Sequence, residues 1–316
     1  MKKVDKVTAK RAARVTALSG LFLVSFLLFL VMTFPYEVLK ESIAANLSRA
    51  TGYNIAIGDM SASLPIGMTM GNVRVEGTTP GSTVELKSLT VNISILRLFI
   101  GQLGIEVDLA AGKGTLAATA NLGLLDLAAG TPFPKRITLV AKNFPLDELI
   151  GFALSNAANS PGSNPLLAPL LSTIGVSALL NASVDFTLDP KNLAQSTGQA
   201  DFNLVNAVLK LSHPSIGLKD QSFKKAQLKA KLEGGALIFD KTSAFLADGL
   251  ELVPEGKIML RPVITNSQLD LKISFKLTND LKSSFGFLLT GGSAGTEGEM
   301  TTQVRGTIEQ PLTVSL

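Results

Sequence analysis

The stretch "LDLKISFKL", Leu269–Leu277, alternates without a break: Leu269, Leu271, Ile273, Phe275 and Leu277 are apolar, while Asp270, Lys272, Ser274 and Lys276 are polar. A period of two sends successive side chains to opposite sides of a strand, so one face meets an apolar environment and the other meets water. "ALLNASVDFTL" (178–188) repeats the rhythm, with Ala178, Leu180, Ala182, Val184, Phe186 and Leu188 set against Asn181, Ser183, Asp185 and Thr187. "AQLKAKLE" (226–233) does so again, with Ala226, Leu228, Ala230 and Leu232 against Gln227, Lys229, Lys231 and Glu233. Antiparallel sheets with one solvated face carry this pattern, and parallel sheets covered on both sides do not. "EGG" at 233–235, "DG" at 248–249 and "EG" at 255–256 supply the expected turns. The predicted fold is mainly β: a long, twisted or curved antiparallel sheet with a few short helices.

The other end of the chain follows a different rule. No charged residue occurs from Val15 to Tyr36, and Leu18–Met32 is mostly Leu, Phe and Val. Twenty-two helical residues would span about 33 Å, enough to cross a hydrocarbon core of about 30 Å. Lys2, Lys3, Lys6, Lys10, Arg11 and Arg14 precede the run against a single acid, Asp5. The positive-inside rule puts that end in the cytoplasm. The run exceeds the 7–15 residues of a signal-peptide core and ends in Thr33-Phe34-Pro35-Tyr36, with no small-x-small cleavage site. The expected organisation is a basic cytoplasmic tail over 1–14, a transmembrane helix over 15–36, and a β-rich domain over 37–316 outside a bacterial inner membrane.

That tail also explains the charge. The whole chain carries +4 at neutral pH, yet residues 1–14 alone carry +5 and the rest of the chain −1. No basic stripe remains to follow a phosphate backbone, which excludes nucleic acid as the expected partner. Mean hydropathy is +0.34, in keeping with one anchor and a greasy globular part.

Directly after the anchor, Pro35 suits a helix start, Leu39, Ile43 and Leu47 recur at i, i+4 and i+8, and Gly52 marks a stop. Two segments interrupt the strand rhythm farther on. Residues 143–175 mix a short helix from Pro145, a Ser/Asn/Pro/Gly loop and a Leu-rich piece at 165–171. "TNDLKSSFGFLLTGGSAG", from Thr278, reads as a short amphipathic helix and a flexible loop. Strand patterning resumes after each, so both are insertions rather than domain linkers. No fixed-period repeat occurs, and the expected topology is a long meander.

The search for chemistry returns little. There is no cysteine, and His213 is the only histidine, which removes thiolate nucleophiles, histidine triads and imidazole-built zinc sites. Neither nucleotide-cradling glycine pattern occurs at a strand-to-helix turn. Asp147 and Glu148 are adjacent, and neighbouring helical positions do not face each other; they read as favourable charges in a first turn. The expectation is a protein that is not an enzyme, with no cofactor. What stands out is the quantity of apolar side chains on one face of many strands. A closed core, with sheets burying each other, accounts for it. So does a curved sheet with an accessible apolar groove that holds acyl chains, for which Leu180, Val184, Phe186, Leu228, Leu232, Leu271, Ile273 and Phe275 are the candidates.

The opening of the β-rich part has a recognisable order. Phe34-Pro35, Gly52, Gly58, Leu64-Pro65, Gly67-Met68, Asn72-Val73, the alternating Val84–Ile95 strand, and Leu98 with Gly101 follow one another after a single anchor. Late in the chain come Gly306 and Pro311. This resembles type II secretion system protein N, in the form that is also similar to the AsmA/TamB group of inner-membrane proteins. The resemblance implies an anchored periplasmic β domain without catalytic residues. In the secretion family the partners would be other envelope proteins of the export machine. In the AsmA-like family the partner would be phospholipid, carried for outer-membrane upkeep.

Overall fold

A computed structural model describes residues 35–64, 66–77, 82–129, 133–158, 174–211, 219–279 and 300–315, with positions 22, 25, 29 and 281. Helix α1 (Tyr36–Thr51) leads into β1 (Asn54–Ser63), β2 (Gly67–Glu76) and β3 (Thr83–Ser94). A one-turn helix α2 (Ile95–Leu98) precedes β4 (Gln102–Ala111) and β5 (Gly114–Gly123), and a second, α3 (Leu124–Ala128), precedes β6 (Pro134–Pro145). Helix α4 (Asp147–Ala158) comes before β7 (Gly175–Thr187), β8 (Thr197–Lys210) and β9 (Gln221–Glu233). The chain continues through β10 (Ala236–Phe239), β11 (Ala244–Ala247), β12 (Leu250–Met259), β13 (Gln268–Leu277), β14 (Met300–Thr307) and β15 (Pro311–Ser315).

These fifteen strands form one antiparallel sheet whose order follows the chain, with β10 and β11 sharing the place between β9 and β12. The meander is therefore the observed topology. Among the described residues β1 pairs only with β2 and β15 only with β14, so the ladder has two edges and does not close into a barrel. Neither interruption breaks it: β6 pairs with β7 across residues 146–174, and β13 pairs with β14 across 278–299.

Helix α1 ends where Gly52 takes a left-handed conformation (φ 74°) and its N–H donates to Ser48 O, the usual glycine termination. Its apolar stripe lies on the sheet. Tyr36, Leu39, Ile43 and Ala44 pack on the buried cluster of Ile57, Met60, Met70 and Val73 from β1 and β2. Leu47, expected on that stripe, is instead 37% exposed and is not among the side chains packed on that cluster.

Three asparagines bend the strands. Asn72, Asn143 and Asn206 have φ of 50°, 46° and 53°, a region that asparagine tolerates better than most side chains. Asn143 and Asn206 sit where the β6–β7 and β7–β8 registers shift by one residue, as bulges do. Two of the three face a glycine. A Cβ on Gly58 would lie 2.9 Å from Asn72 Cβ, and one on Gly114 would lie 2.1 Å from Asn143 O.

Some sequence expectations need correction. Glu255-Gly256 is not a turn: both residues lie inside β12, with Gly256 opposite Leu271. Its φ of 114° and the close Asp270 carbonyl explain the glycine, since any Cβ would meet that oxygen at 2.2 Å. Pro145 ends β6, and the helix starts at Asp147. The span 15–36 falls almost wholly outside the described residues, as do 165–171, His213 and most of the segment after Thr278. Positions 22, 25 and 29 are helical. Among the described residues no helix is long and apolar enough to cross a membrane.

Candidate functional site: the apolar face of the sheet

Cross-strand register decides which side chains share a face. Phe186 stands opposite Gly198, Gly198 opposite Leu232, Leu232 opposite Leu237, Leu237 opposite Ile258, and Ile258 opposite Leu269. Leu269 shares its side of β13 with Leu271, Ile273 and Phe275 by alternation. Val184 stands opposite Ala200, and Leu228 opposite Phe202, which in turn pairs with Ala182. Leu180 packs with Ala182 and Phe202 in one cluster. All eight groove candidates thus fall on a single face.

That face continues well past the residues the sequence singled out. From Val184 it passes to Leu139, Ala118, Val107, Val91, Met68 and Ala62, crossing β6, β5, β4, β3, β2 and β1 in turn. No groove candidate comes from these early strands; in "GTLAATANLG" (114–123) the apolar positions are often alanine, which mutes the contrast between faces.

The reverse face is polar and pinned across strands. Arg136 Nε and Nη2 donate to the two Asp185 oxygens at 3.1 and 2.8 Å. Lys229 lies 3.2 Å from Asp201 and Lys276 3.6 Å from Glu251. Thr69 and Thr90 share a hydrogen bond at 3.0 Å. The guanidinium hydrogen bonds hold the Asp185 carboxyl below its ordinary range, and its charge adds to the effect. Asp240 is lowered as well, first by the Thr242 backbone N–H and then by the Thr242 hydroxyl. Both carboxyls lie on the water side and play no part in the apolar face.

Among the described residues little covers that apolar face. Of the eight candidates only Val184, Leu232 and Phe275 are buried; Leu180, Phe186, Leu228, Leu271 and Ile273 are half-buried. Among the described residues, helices α1 to α4 pack on β1 to β5 and β7 in its first half, while the helical Leu281 is buried beside Gly249 at the start of β12. A second layer of the kind a sandwich requires is not formed among the described residues, where every strand belongs to one sheet.

Helix α4 shows that the first half of the sheet is rolled. Asp147 Oδ1 accepts from Ala178 N at 2.9 Å and Oδ2 from Ser177 Oγ at 2.8 Å, both on β7. The next residue, Glu148, accepts from Glu85 N on β3 at 2.9 Å. In a flat sheet β3 and β7 would stand about 19 Å apart, yet two neighbouring carboxylates hold them. The adjacent acids therefore point apart, as helical geometry requires, and act as clamps as well as first-turn charges. Farther along α4, the Phe152 ring meets Tyr53 edge-on at 5.0 Å. A pocket of about 600 Å³ opens beside the clamp, with Ile57, Asn72, Arg74, Glu85, Lys87 and Glu148 in its lining. Arg74 is satisfied there by Glu85, at 3.1 and 2.6 Å. Among the described residues no group of three or more His, Cys, Asp and Glu gathers as a metal would require.

No family model, curated protein or solved structure matches this chain. The likeness to the secretion and AsmA/TamB proteins rests on the residues quoted for it.

Proposed function

We propose that this chain is a non-enzymatic, inner-membrane-anchored periplasmic protein that holds acyl chains against the apolar face of its open sheet. The observation that carries the reading is the unbroken register of apolar side chains from β1 to β13, half-buried at Leu180, Phe186, Leu228, Leu271 and Ile273. Soluble proteins seldom leave an apolar surface of that extent without a ligand. Acyl chains suit it, because a flexible hydrocarbon fills irregular apolar relief and requires no directional partner. The resemblance to the AsmA/TamB group points the same way.

The test uses the full chain in cells. A photo-crosslinking side chain placed at Leu271 or Ile273 should yield lipid adducts detectable by mass spectrometry, whereas one at Asp270 or Lys272 should yield none. Equal labelling of the two faces, or none on either, overturns the reading.

A second reading is a component of type II secretion that acts through protein contacts. Besides the residue likeness, the backbone edge of β15 supports it, since among the described residues that strand pairs only with β14 and an exposed edge accepts an added strand from a partner. Deletion of the protein would then stop export of folded enzymes. Altered outer-membrane permeability with export intact would reject this reading and favour the first.

A further inference from the structure

The direction of α1 relative to β1 fixes which end of the sheet the anchor reaches. Ser48 Oγ accepts from Ile55 N at 2.9 Å, and eight residues earlier Lys40 Nζ donates to Gly58 O at 3.1 Å. The helix therefore runs back along β1, and Tyr36 lies toward the β1–β2 turn. The membrane-length apolar run ends at Tyr36.

The turns after β7, β9 (Gly234-Gly235), β12 and β14 lie on that same end, and so do the first three there, which join β1 to β2, β3 to β4 and β5 to β6. Each of these first three displays large apolar side chains to solvent: Leu64 at 66% exposure, Leu96 at 80%, Phe99 at 83%, Ile100 at 67% and Leu125 at 85%. Successive turns on one end are two strands apart, about 10 Å, so the three make a row roughly 20 Å long. The described tight turns at the other end read Gly112-Lys113 and Asp248-Gly249. Residues such as Phe99 and Leu125 lose hydration cost only where something apolar receives them.

We propose that this row of turns rests in the interface of the bilayer that holds the anchor, with Leu96, Phe99, Ile100 and Leu125 inserted in its periplasmic leaflet. The inference rests on reading residues 15–36 as a membrane anchor. A lipid surface is the occupant because the row lies at the end where the membrane-length run meets the sheet, so the tether itself holds the turns against the membrane. An aromatic ring and aliphatic chains at the depth of the headgroups and upper acyl chains are what such an interface takes.

The chain contains no cysteine, so single-cysteine variants of the full protein report cleanly. F99C, L125C and, at the far end, K113C are labelled with an environment-sensitive fluorophore in right-side-out membrane vesicles. All three positions are exposed, so the substitutions leave packing intact. A phosphatidylcholine with a nitroxide high on its acyl chain should quench the labels at 99 and 125 at least threefold more than the label at 113. Equal quenching at all three positions overturns the inference. Carbonate extraction separates the two failures. A protein washed from the vesicles refutes the anchor and the row together. One that stays in the membrane with aqueous labels at 99 and 125 refutes the row alone.

Discussion

Phe144 is the large side chain that the first half of the sheet buries most completely. At 1% exposure it is the largest fully buried side chain described. It sits among Ala111, Ala141 and Ala182, with Leu86, Leu116 and Leu180 around them. Small alanines across three strands make the hollow, and one ring fills it. Phe144→Ala should cost about 3–5 kcal/mol by denaturant unfolding, the range for emptying a well-packed aromatic site. The alanines cannot move inward to refill the space. Val140→Ala is the control: its side chain is 42% exposed on the polar face and should change stability by less than about 0.5 kcal/mol. A Phe144→Ala loss no larger than the control's would mean that the cluster is not a core.

At the level of elements, the strands are where sequence and structure agree most closely, and the reason is physical. β7, β9 and β13 announce themselves because apolar residues alternate with polar or charged ones, a contrast that purely local geometry turns into two faces. Gly256 misled because a glycine that admits a neighbouring carbonyl looks, in one dimension, like a glycine that reverses the chain. The bulges at Asn143 and Asn206 and the post of α4 across β3 and β7 were not legible, since each depends on partners dozens of residues away. That α4 clamp can be tested strand by strand. Glu148→Ala removes the acceptor for Glu85 N–H, while Asp147→Ala removes those for Ala178 N–H and Ser177. Amide hydrogen exchange should therefore quicken at Glu85 in the first variant and at Ala178 in the second, each by about tenfold or less. An exposed charged acceptor contributes on the order of 1 kcal/mol. Identical exchange maps for the two variants would show that α4 acts only by covering the sheet.

The molecule as a whole is a sheet read out in chain order, and that topology sets how it comes apart. Nearly every contact between strands joins neighbours in sequence, so stability accumulates piece by piece, as in a repeat array. The pieces are unequal. Buried apolar clusters join α1 to β1 and β2, link β3 through β8, and gather around β6 to β11. No such cluster is centred on β12 and β13 among the described residues, where Pro254 and Phe275 are the buried apolar side chains. The thin cover that leaves Leu271 and Ile273 half-buried among the described residues should leave those strands weakly held. Native-state hydrogen exchange in mild denaturant should accordingly find β12 and β13 opening before β6 to β8, with protection lower by at least tenfold, about 1.4 kcal/mol. Bound acyl chains would narrow that gap, because a ligand that binds only the folded face stabilises it by mass action. Delipidated protein should show the wider difference. Uniform protection across all strands, with or without lipid, would mean that the sheet unfolds as one unit and that its open face is not a site of local weakness.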